Sequence, residues 1–298
     1  MTGNPGLVDY YVPFLLKLQT LIEPHFALLA HSHIGHSPTL PHPNIPLTLA
    51  EQIDAKVQLI ESLSKELAEA RRQEGLDARG IRIGFIGHSV GSEIIVQTMR
   101  QVDRKHARSE EQDDASCKVV ASFLLFPTVA HIAETPNGRK LRPIFKPPLI
   151  DLLPFICSLI QPLIWTIRSL LSIIPSNLPG SRSIYAPNAT TLTFLSSPST
   201  VKNVLHLAKS EMSTIKAPDL DWFESERGRL WSYWGEPDGW VGTQGNDVKN
   251  VLRGVKGDRV EQDSKDSNRV VDCVDSIPHA FCLGEFDMLP RGTHPRSF

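Results

Sequence analysis

The sequence lacks several features that would place it in a specialised class of protein. Its formal net charge at pH 7 is only −2, so it has no basic surface of the kind that binds nucleic acid, and we expect no nucleic-acid partner. Four cysteines in 298 residues are too few for a disulfide scaffold and show no CxxC spacing, which favours a reduced, cytosol-facing location. The first residues hold no basic segment followed by an apolar run, so we expect no signal peptide.

The sequence also has no uninterrupted run of about 18 apolar residues, the length that indicates a membrane-spanning helix. Its most apolar segment extends from Pro148 to Pro175 and contains one acid, Asp151, and one base, Arg168. Pro162 divides this segment into two pieces of about a dozen residues, each ~18 Å long as a helix, whereas a hydrocarbon core is ~30 Å thick. The segment therefore predicts a helical hairpin that lies in a membrane interface and does not cross it.

The second piece of this hairpin is the part that we expect to contact lipid. Its apolar residues recur at helical spacing, and Trp165 and Arg168 suit the polar boundary of a membrane. The expected lipid contacts are Leu163, Ile164, Trp165, Ile167, Leu170 and Leu171. An alternative interpretation stays open, in which both pieces are lid helices that pack against a sheet.

Short apolar runs alternate with helical patterns along the chain, which is typical of an α/β fold with a mostly parallel sheet. The runs are nearly continuous, as expected for strands that are covered on both faces. The predicted strands are Phe26–His33, Ile81–His88, Val119–Pro127, Leu230–Gly235 and Val270–Asp275. Apolar residues at spacings of three and four predict a helix over Thr48–Arg72.

The predicted strands divide the chain into a core and an insertion. Residues 1–128 and 230–298 carry all of these strands, and we expect them to form the two parts of one α/β core. Residues 129–229 lie between the third and fourth strands. We expect this insertion to be a helical cap or lid that contains the apolar hairpin 148–175.

The clearest chemical motif is Gly87-His88-Ser89-Val90-Gly91, which matches the pattern G-x-S-x-G. An apolar strand leads into it, and a helix with an apolar stripe follows it. In this setting a nucleophile elbow presents a serine hydroxyl above the sheet, and the glycines are needed because the turn is tight. We therefore expect the serine to be the nucleophile of an acyl transfer that requires no metal and no other cofactor.

A serine nucleophile needs a base, and the base needs an acid that orients it. In proteins with such an elbow, the acid and then the histidine follow the serine along the chain. His279 lies just beyond the last predicted strand and is the candidate base. Asp238, in a Pro-Asp-Gly turn after the fourth strand, is the favoured acid, and Glu236 is the alternative.

The tetrahedral intermediate of acyl transfer needs two N–H donors for its oxyanion. The backbone N–H of Val90 should be one of them, because it directly follows the nucleophile. The second should come from an early loop, for which Gly3–Gly6 ("GNPG") is the candidate. Pro5 has no N–H, so Asn4 is the expected donor. The alternative is that this stretch is a frayed terminus.

A cluster of histidines lies at the end of the first predicted strand and just after it: His31, His33, His36 and His42. The H-x-H spacing resembles that of a metal site, but no acidic residue lies within the cluster and no later Cys/His group completes it. We expect no metal here. The histidines are expected to line the mouth of a site or to make local hydrogen bonds.

Taken in order, the segments "GNPGLVDYYVPFL", "HSHIGHSP", "GHSVGSE", "FLLFPT" with "ETPNGR", "GEPDGWV" and "IPHAF" resemble the lipid droplet-associated serine hydrolases. The resemblance covers most of the chain and implies an α/β-hydrolase fold. It implies Ser89 as nucleophile, Asp238 as acid and His279 as base. It further implies a lipid ester substrate, a sterol ester or an acylglycerol, and a cytosol-facing location on the surface of lipid droplets or of the endoplasmic reticulum.

The sequence departs from that family at both ends. Family members have an apolar strand before "GNPG", which here directly follows Met1 and Thr2, and they close with an amphipathic helix where this chain has Glu285–Phe298 with two prolines. We therefore expect unpaired strand edges in the sheet and a weakly stable, poorly active protein. The alternative to an enzyme is a droplet-surface tethering protein that keeps the fold with little or no turnover.

Overall fold

A computed structural model of the protein describes residues 1–24, 26–77, 81–108, 117–172, 189–256, 259–260, 269–273 and 277–283. Its α-helices are α1 (Val12–Ile22), α2 (Leu49–Gln73), α3 (Val90–Arg108), α4 (Pro136–Leu141), α5 (Leu149–Ser172), α6 (Pro198–Thr214), α7 (Leu220–Glu226) and α8 (Asn246–Leu252). Residues 189–195 are also helical. Its strands are β1 (Arg82–His88), β2 (Lys118–Leu125), β3 (Leu230–Trp234), β4 (Val255–Lys256), β5 (Arg259–Val260) and β6 (Val270–Asp272).

The main sheet is parallel and has the strand order β1-β2-β3-β6. The β4 and β5 strands pair with each other in a separate antiparallel ribbon. Parallel strands need crossover connections, which α3 supplies between β1 and β2. The predicted α/β class is therefore confirmed, and so are four of the predicted strands, with slightly different ends.

The remaining predicted strand, Phe26–His33, is wrong, because this segment is not part of any sheet. The last residue of this segment, His33, is held by a hydrogen bond from its N–H to the carbonyl of Gly6 (2.9 Å). The free edge of β1 pairs instead with Met1, whose carbonyl accepts from the His88 N–H (3.1 Å). An apolar run becomes a strand only when another strand pairs with its backbone, and none lies beside this run in the described part of the chain.

The predicted helix Thr48–Arg72 is confirmed as α2. Thr48 caps it through a capping box: the Thr48 hydroxyl accepts from the Glu51 N–H (3.3 Å), and the Glu51 carboxylate accepts from the Thr48 N–H (2.7 Å). The apolar face of the helix packs against α3. Its buried apolar residues include Leu49, Ile53, Val57 and Ile60.

The predicted break at Pro162 does not occur, and the expected hairpin is one continuous helix, α5. Within a helix, a proline removes the hydrogen bond from its own position to the carbonyl four residues earlier, here that of Ser158. Ser158 is exposed, so water can satisfy this carbonyl. Packing of α5 on α6 holds both halves of the helix in line.

This continuous helix also changes the expectation about length. With 24 residues, α5 is ~36 Å long, more than the ~30 Å of a hydrocarbon core. By length and composition it is the one described helix that could cross a membrane. Its segment Leu149–Ile167 has a mean hydropathy of 1.7, and only 11% of this segment is buried in the protein. Length alone therefore does not separate a spanning helix from one that lies on a surface.

The chain leaves the sheet after β2, passes through α4, α5, α6 and α7, and returns to it at β3. The main core lies where α2, α3, α7 and α8 cover the sheet. A second, aromatic-rich cluster contains Tyr11, Phe126 and Phe281. It joins the N-terminal segment to the loop that follows β6.

Candidate active site

The end of β1 turns sharply into α3 at Ser89. Ser89 has a φ of +54°, a left-handed conformation that a residue with a Cβ rarely adopts. Its N–H donates to the carbonyl of Leu125 on β2 (2.9 Å), and the Ser92 hydroxyl donates to the carbonyl of Gly87 (3.0 Å). These bonds hold the strained turn and leave the half-exposed Ser89 side chain at the carboxyl end of the sheet.

Both elbow glycines are required by close backbone approaches. A Cβ on Gly87 would lie 2.6 Å from the Gly91 carbonyl oxygen, and a Cβ on Gly91 would lie 2.5 Å from the Met1 carbonyl oxygen. Real Cβ atoms do not approach oxygen atoms so closely. Any larger residue at either position would push α3 away from β1 and from the N-terminal segment.

The fold brings His279 and Asp238 to Ser89. The Nε2 atom of His279 lies 2.9 Å from Ser89 Oγ, and its Nδ1 atom lies 2.7 Å from Asp238 Oδ2. The other carboxylate oxygen of Asp238 accepts from the N–H groups of Trp240 (2.8 Å) and Val241 (3.1 Å). A hydroxyl, an imidazole and a carboxylate thus form one hydrogen-bonded line.

The environment keeps Asp238 ionised. Its side chain is only 3% exposed, and burial by itself would raise the pKa of the carboxyl. The hydrogen bonds from His279, Trp240 and Val241 favour the charged form, and together they hold the pKa of Asp238 below its usual value. A carboxylate in this state can orient an imidazole and stabilise its cationic form.

The alternative acid, Glu236, faces a different direction. Its side chain is 70% exposed and pairs with the Lys249 ammonium group (2.8 Å). Asp238, two residues later, is the carboxylate that contacts His279. The structure therefore places Asp238, and not Glu236, beside His279.

The segment Gly3–Gly6 lies directly against Ser89. A Cβ on Gly3 would be 2.9 Å from the Ser89 Cβ. The neighbouring residues Thr2 and Leu7 are 5% and 1% exposed, so the segment is packed into the protein and is not frayed.

Within the part of the chain that the structure describes, two backbone N–H groups near Ser89 have no hydrogen-bond partner. The Val90 N–H is in the first turn of α3, where an N–H has no partner within the helix. The Gly3 N–H already donates to the Tyr11 hydroxyl (2.8 Å), Pro5 has none, and the Asn4 N–H makes no hydrogen bond within the described residues. The Asn4 side-chain amide donates to the Val204 carbonyl (3.1 Å) and to the Glu211 carboxyl (3.0 Å), both on α6.

Two residues that the sequence analysis did not single out also lie in this site. His88, the residue before the serine, contacts the His279 carbonyl through Nε2 (2.7 Å) and the Tyr11 hydroxyl through Nδ1 (2.7 Å). Their only sequence signal is position, since His88 is the first variable residue of the G-x-S-x-G motif and Tyr11 lies shortly after "GNPG". No periodicity or spacing rule connects them.

Three of the early histidines contact residues that are distant in the chain. His36 Nδ1 lies 2.7 Å from the Pro5 carbonyl oxygen, and His42 Nε2 lies 2.9 Å from the Thr200 hydroxyl. His31 Nδ1 lies 3.0 Å from the buried Lys56 ammonium group; burial and this neighbour lower the pKa of His31 to about 4. Among the residues that the structure describes, no group of three or more His, Cys, Asp or Glu side chains is arranged to hold a metal ion.

The expected lipid-contacting residues divide into three groups. Leu163, Trp165 and Ile167 are 60%, 57% and 38% exposed. Ile164 is only 5% exposed, so its inclusion is wrong: it lies seven residues after the buried Cys157, on the face of α5 that packs against α6. The side chains of Leu170 and Leu171 lie outside the described residues.

The chain matches the family model described as lipid-droplet associated hydrolase over residues 1–282. The rat (Rattus norvegicus) and human (Homo sapiens) proteins named lipid droplet-associated hydrolase are each 28% identical to it, over 95% and 94% of this chain and 78% and 77% of their own lengths. The Drosophila melanogaster protein of that name is 24% identical over 81% of this chain and 73% of its own length.

A solved structure from a study of carboxylesterases of Nitrososphaera gargenis is similar in fold. It is 14% identical to this chain, with a TM-score of 0.54, over 95% of this chain and 82% of the other. This likeness, together with the parallel sheet and its flanking helices, shows the α/β-hydrolase fold expected from the sequence. Because the family model matches nearly the whole chain, the protein belongs to the lipid-droplet associated hydrolase family.

Proposed function

We propose that this protein is a serine carboxylic-ester hydrolase that acts on lipid esters. The observation that carries the proposal is the line of contacts from Ser89 Oγ to His279 Nε2 and from His279 Nδ1 to Asp238 Oδ2. A serine on a strained elbow, with a base in contact and an acid behind the base, is the arrangement that activates a hydroxyl for acyl transfer. No cofactor is required.

In the first half of the reaction, Ser89 Oγ attacks the ester carbonyl while His279 takes the serine proton. Asp238 orients the imidazole and stabilises its cation. The N–H groups of Val90 and Asn4 are the proposed donors to the oxyanion of the tetrahedral intermediate. His279 then gives its proton to the leaving alcohol, which departs and leaves an acyl group on the serine.

In the second half, a water molecule attacks the acyl-enzyme. His279 removes a proton from this water, and a second tetrahedral intermediate forms against the same N–H donors. The intermediate collapses to a carboxylic acid as His279 returns the proton to Ser89. The overall change is one ester and one water converted into one acid and one alcohol.

The lipid character of the substrate is supported by α5. One face of α5 carries five large apolar side chains that are exposed to solvent and recur at helical spacing: Leu152, Phe155, Ile156, Leu159 and Leu163. Monomeric proteins rarely expose a continuous apolar face of this size without an interaction partner. Relatives of this chain are named for lipid droplets, so we propose the phospholipid-coated surface of a droplet, or the cytosolic face of the endoplasmic reticulum, as the partner, with sterol esters or acylglycerols as substrates.

The chief alternative is a tethering protein with little turnover. The exposed face of α5 favours it, because that surface could bind a droplet whether or not the site is active. A fluorophosphonate probe separates the two functions, since it reacts covalently only with an activated serine.

The test uses the purified full chain with three samples. We expect the wild-type protein and the Ser225→Ala control, which changes an exposed serine on α7, to react with the probe at the same rate. We expect Ser89→Ala to remain unlabelled. A folded wild-type protein that is not labelled would contradict the enzyme proposal and favour the tether.

A further inference from the structure

We propose that His88 and Tyr11 form a positioning relay that holds the loop of His279 and the "GNPG" segment in place relative to Ser89. This inference rests on the proposed function, because it assigns the relay to that same site. The relay consists of three hydrogen bonds in series. They join the Gly3 N–H, the Tyr11 hydroxyl, the His88 ring and the His279 carbonyl.

The direction of every bond follows from one fixed point. A backbone carbonyl can only accept, so the His88 nitrogen that contacts the His279 carbonyl, Nε2, must carry a proton (2.7 Å). In a neutral imidazole the other nitrogen, Nδ1, is then an acceptor, and the Tyr11 hydroxyl must donate to it (2.7 Å). The Tyr11 oxygen in turn accepts from the Gly3 N–H (2.8 Å). Each of the three bonds therefore has one donor and one acceptor.

The surroundings of His88 enforce the neutral form that the relay needs. Its side chain is only 5% exposed, and it is enclosed by aromatic rings, with ring centroids 4.9 Å from that of Phe281 and 6.0 Å from that of Phe126. Burial, with a smaller contribution from nearby His279, lowers the pKa of His88 to about 3. His88 is therefore a fixed donor and acceptor at neutral pH and does not compete with His279 as a base.

The two ends of the relay contact the two segments that the proposed chemistry needs beside Ser89. At one end it holds the backbone of His279, whose ring must point Nε2 at Ser89 Oγ. At the other end it occupies the Gly3 N–H, so that Asn4, the next residue, is the one in this segment whose N–H is left for the oxyanion. Displacement of such groups by about 1 Å can cost ~100-fold in rate.

Tyr10 provides a matched control for Tyr11. Both tyrosines lie in the same short 3-10 turn and both are buried, at 5% and 6% exposure. The Tyr10 hydroxyl bonds to the Thr191 hydroxyl (3.0 Å), outside the relay. Tyr10→Phe and Tyr11→Phe thus each remove one buried hydroxyl, but only the second cuts the series.

The kinetic test measures kcat and KM on a short, soluble p-nitrophenyl ester. We expect Tyr11→Phe and His88→Phe each to lower kcat by ~10–100-fold while KM stays within about twofold. We expect the double variant to be no worse than His88→Phe alone, because both changes break the same series. Tyr10→Phe should keep kcat within about twofold. Equal losses in Tyr10→Phe and Tyr11→Phe, or additive losses in the double variant, would overturn the relay.

A second measurement does not depend on turnover. In a long-range nitrogen–proton NMR spectrum of ¹⁵N-histidine-labelled protein, we expect His88 as the neutral Nε2–H tautomer at pH 6. The Nδ1–H tautomer or an imidazolium at this position would overturn the relay. A protein with the expected tautomer but no fluorophosphonate labelling would contradict the proposed function and leave the relay geometry standing.

Discussion

The Nε2 atom of His279 lies 2.9 Å from the Oγ atom of Ser89, although 190 positions separate the two residues in the chain. The contact exists because β1 ends at the elbow and the loop after β6 arrives at the same edge of the parallel sheet. The carboxyl ends of parallel strands meet there, which is where open α/β sheets place their sites. Asp238, after β3, reaches the same edge.

Substitutions of the two acids in the "GEPDGWV" loop should have very different effects on kcat/KM. Asp238→Asn removes the negative charge and places an amide against His279 Nδ1, so the imidazole loses the partner that stabilises its cation. We expect kcat/KM on a soluble ester to fall ~10³-fold or more. Glu236→Gln changes a carboxylate that pairs with Lys249 at the surface, and kcat/KM should stay within about twofold. Similar losses in both variants would contradict the assignment of Asp238.

The close approach of Gly3 to the elbow can be tested with one methyl group. In Gly3→Ala the new Cβ would lie 2.8 Å from His88 Nδ1 and 2.9 Å from Ser89 Cβ. The "GNPG" segment must therefore move away from Ser89. We expect kcat to fall ~100-fold. Gly228→Ala is the control, since a Cβ there meets no atom within 4 Å, and should retain full kcat. If Gly3→Ala were as active as this control, the segment would have no part in the chemistry.

If the exposed face of α5 binds droplets, negative charges introduced on this face should weaken that binding. Leu159 and Leu163 are 63% and 60% exposed, and burying each leucine in lipid is worth ~1.5–3 kcal/mol. We expect Leu159→Asp with Leu163→Asp to weaken flotation with phospholipid-coated triolein droplets by ~100-fold or more. Leu67→Asp, at a 39% exposed position on α2, should float as the wild-type protein does. Undiminished flotation of the double variant would place the lipid contact elsewhere.

Two buried acids, Glu211 and Glu93, should make the free energy of unfolding depend on pH. Burial raises the pKa of Glu211 to about 8, although Asn4 donates to its carboxyl, and raises the pKa of Glu93 to about 7. The folded state therefore holds protons that the unfolded chain releases above pH ~4.3. The stability from these groups is fully present below that pH and is lost as the pH rises towards 8.

Glu211→Gln removes the contribution of Glu211 to this dependence, leaves that of Glu93, and keeps an oxygen that can accept from Asn4. Relative to the wild-type protein, we expect the free energy of unfolding of this variant to improve by about 2–4 kcal/mol between pH 5 and pH 8, measured by urea titration. Glu66→Gln, at an exposed position, should follow the wild-type curve. Parallel curves for Glu211→Gln and wild type would show that the buried carboxyl is not protonated in the folded state.

Much of the fold could be predicted because the signals are local. The strands at Ile81–His88 and Val119–Pro127 are continuous apolar runs, and a run that is buried on both faces has little alternative to a central strand. Helix α2 has both an apolar stripe and a capping residue, Thr48. The order of residues along the chain pointed to His279 and to the loop after β3, in which Asp238 was the favoured acid and Glu236 the alternative. The fold brings Asp238 to His279 and leaves Glu236 at the surface.

Other features depend on neighbours that the local sequence does not specify. Phe26–His33 has the composition of a strand but no strand beside it in the described residues, and Pro162 does not break α5 because the helix packs along α6. Ile164 looks like the other apolar residues of its segment, yet it faces α6 and is buried.

By itself, the sequence determined the α/β class and the elbow with its glycines, since these follow from periodicity and turn chemistry. It also predicted Ser89, His279 and Asp238 from chain order, with Glu236 as the alternative acid. Only the tertiary structure decided which face of α5 meets solvent and how His88 and Tyr11 connect the His279 loop to Gly3. The physical reason is that burial and buried hydrogen bonds are properties of pairs of groups. Such pairs, here up to 191 positions apart, are defined only once the chain is folded.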